Sequence, residues 1–265
     1  MKLPVYFVSH GGGPWPYIPE MQASNARLAA SLADIPRQIG SKPNAILMVS
    51  AHWETRGAFA VMGSPSPSML YDYYGFPAHT YEIQYPAPGS PELAGRVAQL
   101  LSDAGLAADT DTTRGFDHGA FVPAFVMYPE ADVPMVQLSI DAGYDPALHL
   151  SAGRALAPLR KEGVLIVGSG LSYHNLRQIY GGGSAASAQF DAWLQQVLLD
   201  APPEQRAGLL ERWTSAPAAR LAHPREDHLI PLMVAAGAAE SDAAACVYHE
   251  SQAFAGITAS SFRFG

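Results

Sequence analysis

Three apolar runs in this chain end on a histidine. VYFVSHGGGPWPY stops at His10 on a glycine loop, AILMVSAHW places His52 just past a strand, and VLIVGSGLSYH ends in His174. In an open α/β sheet, ligands bind in the crevice beyond the carboxyl ends of the strands, so three such strands would aim three imidazoles at one place. That is a metal-binding pattern. Imidazoles without thiolates suit Fe, Zn, Cu or Ni rather than Mg or Ca, and three protein ligands on one side leave open positions for substrate. The single cysteine, Cys246, removes both a cysteine-based zinc cluster and an intrachain disulfide framework.

Other histidines compete for the role. His118 stands on a glycine-flanked loop in RGFDHGAFVP, and His223 and His228 bracket Glu226 and Asp227 in HPREDHLIPL. His149 and His249 fall in a helix and a strand with no partner motif, where a satisfied structural histidine is the better reading, and His79 sits among loop residues. Non-metal chemistry finds less support. GSGLS lacks the G-x-S-x-G flanks of a nucleophile elbow at both Ser169 and Ser172, which leaves HGGGP without a partner as a lipase-type oxyanion loop. Neither a G-x-x-x-x-G-K-[ST] loop nor a G-x-G-x-x-G turn between strand and helix is present, so phosphate binding has no motif.

The elements that must position these residues read as alternating strands and helices. Strands are expected at Pro4 to Val8, Ala45 to Ser50, Met135 to Ile140 and Val164 to Val167, with a short one in GAFAVMG and two near Ala245 to His249 and Ser260 to Phe264. Ala23 to Ile35 reads as a helix limited by Pro36. Ser90-Pro91-Glu92 opens another, with an N-cap, a proline at the first helical position and an early acid. Further helices are expected at Asp145 to Lys161, around Phe190 to Leu198 after a GGGSAAS connector, around Glu204 to Thr214, and in the apolar run after His228. This alternation predicts a doubly wound α/β fold: a single domain over 1–265, with a central mostly parallel or mixed sheet and helices on both faces. Between Gly57 and Pro88 the pattern loosens into an aromatic stretch with Tyr71, Tyr73 and Tyr74. Long irregular stretches in compact domains are usually functional, and these tyrosines either wall a pocket or plug the sheet edge.

Composition narrows the function classes. A hydrophobic fraction of 48% with 15% charged residues excludes a mainly disordered chain. A net charge of −8 without a Lys/Arg block excludes a nucleic-acid footprint and a polybasic membrane anchor. No apolar run of about 18 residues is present, and the start lacks the apolar core of a secretory signal. The expectation is a cytoplasmic protein acting on a small molecule, with a homo-oligomer left open.

Taken in order, SHGGGP, SAHW, DYYGFP, RGFDHGAFVP, GSGLSYHNL and HPREDHLIPL resemble the motifs of the class III extradiol ring-cleaving dioxygenases, nearest to the DOPA-dioxygenase-type branch. The likeness runs from the first strand to beyond His228. It implies a non-haem Fe(II) held by His10 and His52, with the third ligand at His228, where DHLIPL matches the branch; His223, Glu226 and Asp227 are close rivals. It also implies His174 as acid/base and His118 beside substrate and oxygen. The implied reaction opens a catechol ring next to its diol with O₂, giving a muconic semialdehyde, after the catechol has bound through both oxygens and lost protons with help from His174. Zn(II) would take the same ligands during purification, because divalent affinities favour it over iron. Two alternatives use these residues differently: a zinc-dependent hydrolase or lyase that activates water, and a metal-free binding protein of the same fold.

Overall fold

The computed structural model describes residues 2–179, 181–254 and 256–265. Its strands are β1 (Val5–Ser9), β2 (Ala45–Thr55), β3 (Phe59–Met62), β4 (Ala108–Asp111), β5 (Met135–Asp141), β6 (Val164–Gly170), β7 (Ala244–Ala253) and β8 (Ile257–Phe264). Its α-helices are α1 (Pro19–Ser24), α2 (Ala26–Ile39), α3 (Pro91–Asp103), α4 (His118–Met127), α5 (Pro146–Leu156), α6 (Ser184–Gln195), α7 (Pro203–Glu211), α8 (Ala219–Ala222) and α9 (Ile230–Ala238). All the strands join one eight-stranded mixed sheet in the order β4-β3-β5-β2-β6-β1-β8-β7. The four central strands β5, β2, β6 and β1 are mutually parallel, while β3 and β8 run antiparallel to their central neighbours. The carboxyl ends of the central strands therefore share one edge.

Burial explains why the middle of the sheet reads as continuous apolar runs. Every residue of β1 and β6 is buried, as strands covered on both faces must be. The two faces can be told apart at the end of β6, where successive side chains alternate. Ser169 donates its hydroxyl to Gly119 O on α4, whereas a side chain at Gly168 would run into Pro231 O on α9. Helices α4 and α9 thus cover opposite faces, as the alternating pattern predicted.

Local signals place the helix starts. Ser90 accepts from Leu93 N at 3.2 Å ahead of α3, Asp117 accepts from Ala120 N at 3.1 Å ahead of α4, and Asp145 accepts from Ala147 N at 2.9 Å ahead of α5. A cap of this kind stabilises a helix by about 1 kcal/mol. Several boundaries differ from the sequence reading. Helix α2 continues through Pro36 because the proline falls in the last turn, where it removes one hydrogen bond while Ile39 extends the buried stripe of Leu28, Leu32 and Ile35. Gly40, at φ 73°, ends it. Helix α6 starts at Ser184, inside the expected connector. The helix from Pro146 stops at Leu156 and tightens into a 3₁₀ segment, Ala157–Glu162. Strand β4 was absent from the expected strands because ADTD is short, half-exposed and poor in strand-forming residues. No described helix is long and apolar enough to cross a membrane.

Candidate metal centre

The register of the parallel strands brings the first two histidines to the same edge. Ser9 pairs with Gly170 and Ser50 pairs with Ser169, so His10 and His52 emerge on either side of the end of β6. His10 lies directly beyond β1 and extends its ladder once more, donating from its backbone N to Gly170 O at 3.2 Å. His52 is inside β2 rather than past it. Pairing with β5 jumps from Val49–Leu138 to Glu54–Ile140, so residues 50–53 bulge out of the ladder and turn the His52 side chain off the pleat. Bulges re-aim side chains next to active sites in this way. Arg114 donates to His52 O at 3.2 Å and stacks over Trp53, which holds the bulge from outside.

His228 arrives from the opposite end of the sequence, on the turn before α9. Leu171 N donates to His228 O at 3.0 Å, and a Cβ at Gly170 would lie only 2.1 Å from that oxygen. The glycine is what permits the approach. On the other face, a Cβ at Gly119 would lie 2.8 Å from the His52 ring, so α4 can press against His52 only with glycine there.

The rings of His10, His52 and His228 then form a near-equilateral triangle, with centroid separations of 5.0 Å, 4.8 Å and 5.2 Å. His118, the first residue of α4, joins on the His52 side at 4.0 Å and lies 5.3 Å from His10. Ring nitrogens of His10, His52 and His118 come within 4.8 Å of one another. His174, four residues past β6, stacks on His228 at 3.4 Å, and its Nδ1 lies 3.6 Å from Asp227 Oδ1. All five of the histidines expected at the site are therefore brought together.

The rivals for the third ligand are placed differently. His223 is buried with Nε2 at 3.0 Å from Ser172 O and packs edge-on against Phe190 and Trp213. Glu226 pairs with Arg220 at 2.7 Å. Asp227 Oδ2 lies 3.0 Å from His228 Nδ1. Elsewhere, His149 accepts from Asp141 N at 3.0 Å and faces Asp145 O, and His249 contacts Asp191 and Ser260, as structural histidines do.

The electrostatics favour neutral imidazoles, the form that ligates a metal. Burial holds His10 and His52 well below the usual histidine range, and the neighbouring rings push the same way. Burial, with His174 stacked alongside, brings His228 down to about 4 against the pull of Asp227. Burial would raise the Asp227 carboxyl, but His174 and His228 outweigh it and hold it far below the carboxylate range.

Two observations test whether a divalent ion fits here. Both ring nitrogens of His10 are buried without a hydrogen-bond partner, which costs about 1–3 kcal/mol for each polar group left so. His52 Nε2 and His228 Nε2 face each other at 3.2 Å, while the Nδ1 of each looks onto a carboxylate, Asp72 Oδ2 at 3.3 Å and Asp227 Oδ2 at 3.0 Å. With the ring protons on the Nδ1 atoms that face those carboxylates, the two Nε2 atoms would meet lone pair to lone pair. A shared cation resolves that opposition, and the spacing suits two nitrogens bound at about 2.1 Å each to one ion.

Three contributors were not singled out in the sequence. Asp72, from the DYYGFP loop, accepts from His118 N at 3.0 Å and lies 2.8 Å from His118 Nδ1. Asp117 is fully buried and gathers Ser50, Gln137, Arg114 and Ala120 N around one carboxylate. Arg114 completes that network. Each was legible only as an acid or base in a loop, since the partners lie far off in sequence. Of the loop tyrosines, Tyr73 packs edge-on against His118 at 5.8 Å, whereas Tyr74 points into solvent.

Comparison with known proteins identifies the family. The family described as the catalytic LigB subunit of aromatic ring-opening dioxygenase matches residues 4–265. A 4,5-DOPA dioxygenase extradiol of Beta vulgaris is 40% identical over 258 residues, covering 93% of this chain and 90% of that protein. The protein of the same name from Escherichia coli K12 is 40% identical over 202 residues, 74% of this chain and 73% of the other. A crystal structure of an uncharacterized Escherichia coli K12 protein superposes with a TM-score of 0.77 at 31% identity, covering 99% of this chain and 100% of that one. The chain belongs to the LigB family of aromatic ring-opening dioxygenases, on the class III extradiol branch with these 4,5-DOPA dioxygenase relatives.

Proposed function

We propose that the protein is an extradiol dioxygenase that opens a catechol ring with O₂ at a non-haem Fe(II) held by His10, His52 and His228. The observation that carries the ligand set is the opposed pair of His52 and His228 Nε2 atoms, 3.2 Å apart beside a His10 ring with no partner. Family membership supports the reaction class. Ferrous iron bound there would supply open positions for both catechol oxygens and O₂, together with the one-electron exchange that lets triplet O₂ react with a spin-paired catechol.

The chain's own residues do the rest. His174 keeps Nδ1 toward Asp227, which leaves Nε2 to take a phenolic proton and return it later. Histidine is the side-chain type that both takes and returns protons in catalysis near neutral pH. His118 has Nδ1 engaged by Asp72 and offers Nε2 beside the His52 face, where it orients substrate and oxygen. Tyr73 backs that ring and adds an apolar wall. Its hydroxyl is committed to Thr80 O at 2.5 Å, so it contributes shape rather than proton transfer.

The test is an oxygen-electrode screen of catechols with protein reconstituted anaerobically with Fe(II). The expected result is uptake of about one O₂ per catechol with a yellow ring-cleavage product, and weaker binding of monophenols and methylated diols, which cannot present two deprotonatable oxygens. A broad catechol panel without oxygen uptake, alongside ester or amide hydrolysis by the zinc form, would replace this reading with the hydrolase.

A further inference from the structure

Asp72 touches two of the clustered histidines, His52 on β2 and His118 on α4, much as Asp227 touches His174 and His228. Oδ1 takes two donors from His118, the backbone N at 3.0 Å and the ring Nδ1 at 2.8 Å, while Oδ2 lies 3.3 Å from Nδ1 of His52. The residue belongs to neither the sheet nor α4. It comes from the irregular stretch between β3 and α3, which is pinned beside α4 by hydrogen bonds from Leu70 N to Phe116 O and from Phe116 N to Ser68 O, both 2.8 Å. Loop placement and imidazole protonation are thus joined in one side chain.

We propose that Asp72 is a positioning residue that fixes the ring proton of both His52 and His118 on Nδ1, so that both present an Nε2 lone pair to the centre and the aromatic loop becomes a support of the metal site. The inference rests on the metal-site reading above and deepens it. A neutral imidazole has one N–H and one lone pair, and the partner of one nitrogen decides which is which. Carboxylates that orient metal-bound histidines act in this manner, and their loss typically costs 10–100-fold in metal affinity. Here a single carboxylate sets two rings, and only one of them, His52, is a proposed ligand. The same substitution should therefore disturb metal binding through His52 and substrate handling through His118.

The geometry makes an unusual demand of the isosteric variant Asp72→Asn. The amide oxygen stays where it receives two donors from His118, which turns the amide NH₂ toward His52 Nδ1. Two donors cannot face each other, so the His52 proton moves to Nε2, the nitrogen that faces His228. Asp72→Ala removes the carboxylate without installing a donor, and water can replace the lost acceptor. A role confined to packing would rank the variants the other way, with the cavity-forming alanine the more damaging.

The experiment measures Zn(II) affinity of the full-length wild type, Asp72→Asn and Asp72→Ala by chelator competition, with urea midpoints of the metal-free proteins as the folding control. The expected result is a loss of about 10–100-fold for the asparagine variant, at least as large as for alanine. Imidazole ¹⁵N shifts of the metal-free wild type add a measurement that needs no variant, and are expected to show Nδ1–H for His52 and His118. An asparagine variant that binds zinc within threefold of wild type, a much larger loss for alanine than for asparagine, or Nε2–H at His52 in the wild type overturns the inference alone. A wild type that binds no Zn(II) overturns the metal-site reading and the inference with it.

Discussion

Replacing Gly170 with alanine tests how the third histidine is brought in. The added Cβ would lie 2.1 Å from His228 O and 3.2 Å from the Phe7 ring, where ordinary contact begins at 3.4 Å. The obstacle is backbone on one side and a buried core ring on the other, so the turn carrying Asp227 and His228 must retreat by about 1 Å or more. The retreat also lengthens the 3.0 Å hydrogen bond from Leu171 N to His228 O. Overpacking contributes about 1–3 kcal/mol and the lost hydrogen bond about 1 kcal/mol, giving a destabilisation of about 2–4 kcal/mol. In urea that is a midpoint shift of roughly 1 M. Because His228 moves away from His52, zinc affinity should fall by about 10-fold or more. Gly95→Ala is the control, since nothing lies within 4 Å of its added Cβ within α3, and it should gain about 0.5–1 kcal/mol. A Gly170→Ala protein with the urea midpoint and zinc affinity of wild type would falsify the claim that the bare strand end admits His228.

Further expectations follow from the same geometry. His228→Ala should lose stoichiometric metal, measured by elemental analysis after dialysis, whereas Glu226→Ala should keep it, because Glu226 is paired with Arg220; the opposite result moves the third ligand to the glutamate. His174→Ala should retain the metal and lose turnover by about 10²–10⁴-fold; joint loss of both would make His174 a ligand. Asp242 anchors Lys2 at 2.7 Å and the buried Arg160 at 2.6 Å. Burial would raise its carboxyl, but hydrogen bonds from those two cations outweigh it and hold it below the ordinary value of 3.8. The depressed carboxyl contributes stability that is complete above 3.8 and drains as pH falls through the lower folded-state value, so urea midpoints of Asp242→Ala and wild type should converge as acid is added below pH 4. At pH 7 the variant should lose about 3 kcal/mol, since it leaves the buried Arg160 without the carboxylate that pairs with it. A gap that does not narrow in acid refutes the assignment.

The α/β class, the buried central strands and the placement of His10 and His52 near their ends were legible because apolar runs covered on both faces need no tertiary knowledge to be seen. The β2 boundary was not, because Ser50 and His52 break the apolar run while the chain stays extended through a bulge. His228 had no signal in periodicity and was reached only through its motif. GSG lacks the flanks of a serine nucleophile; its glycines instead clear room for Pro231 and His228, while Ser169 turns the other way to Gly119. That function depends on what packs over the strand, which no local pattern states. Asp72 was hidden for the same reason, since its partners His52 and His118 are set by the loop's docking rather than by spacing.

Strand β1 sits between β6 and β8, so Val5 pairs with Ile166 on one side and Phe264 on the other. During synthesis β1 must wait for β6 and then for β8 before both of its edges are occupied. Contacts so distant in sequence form slowly, because the loop between them must close first. Until then VYFVS is an apolar segment with at least one free edge, the kind that recruits a neighbouring nascent chain. His10 follows that strand directly and is aligned by Gly170 O at the end of β6, so on the proposed ligand set metal capture through it waits on the insertion of β1. Metal-free protein recovered after rapid expression should accordingly be enriched in chains whose first strand has yet to insert.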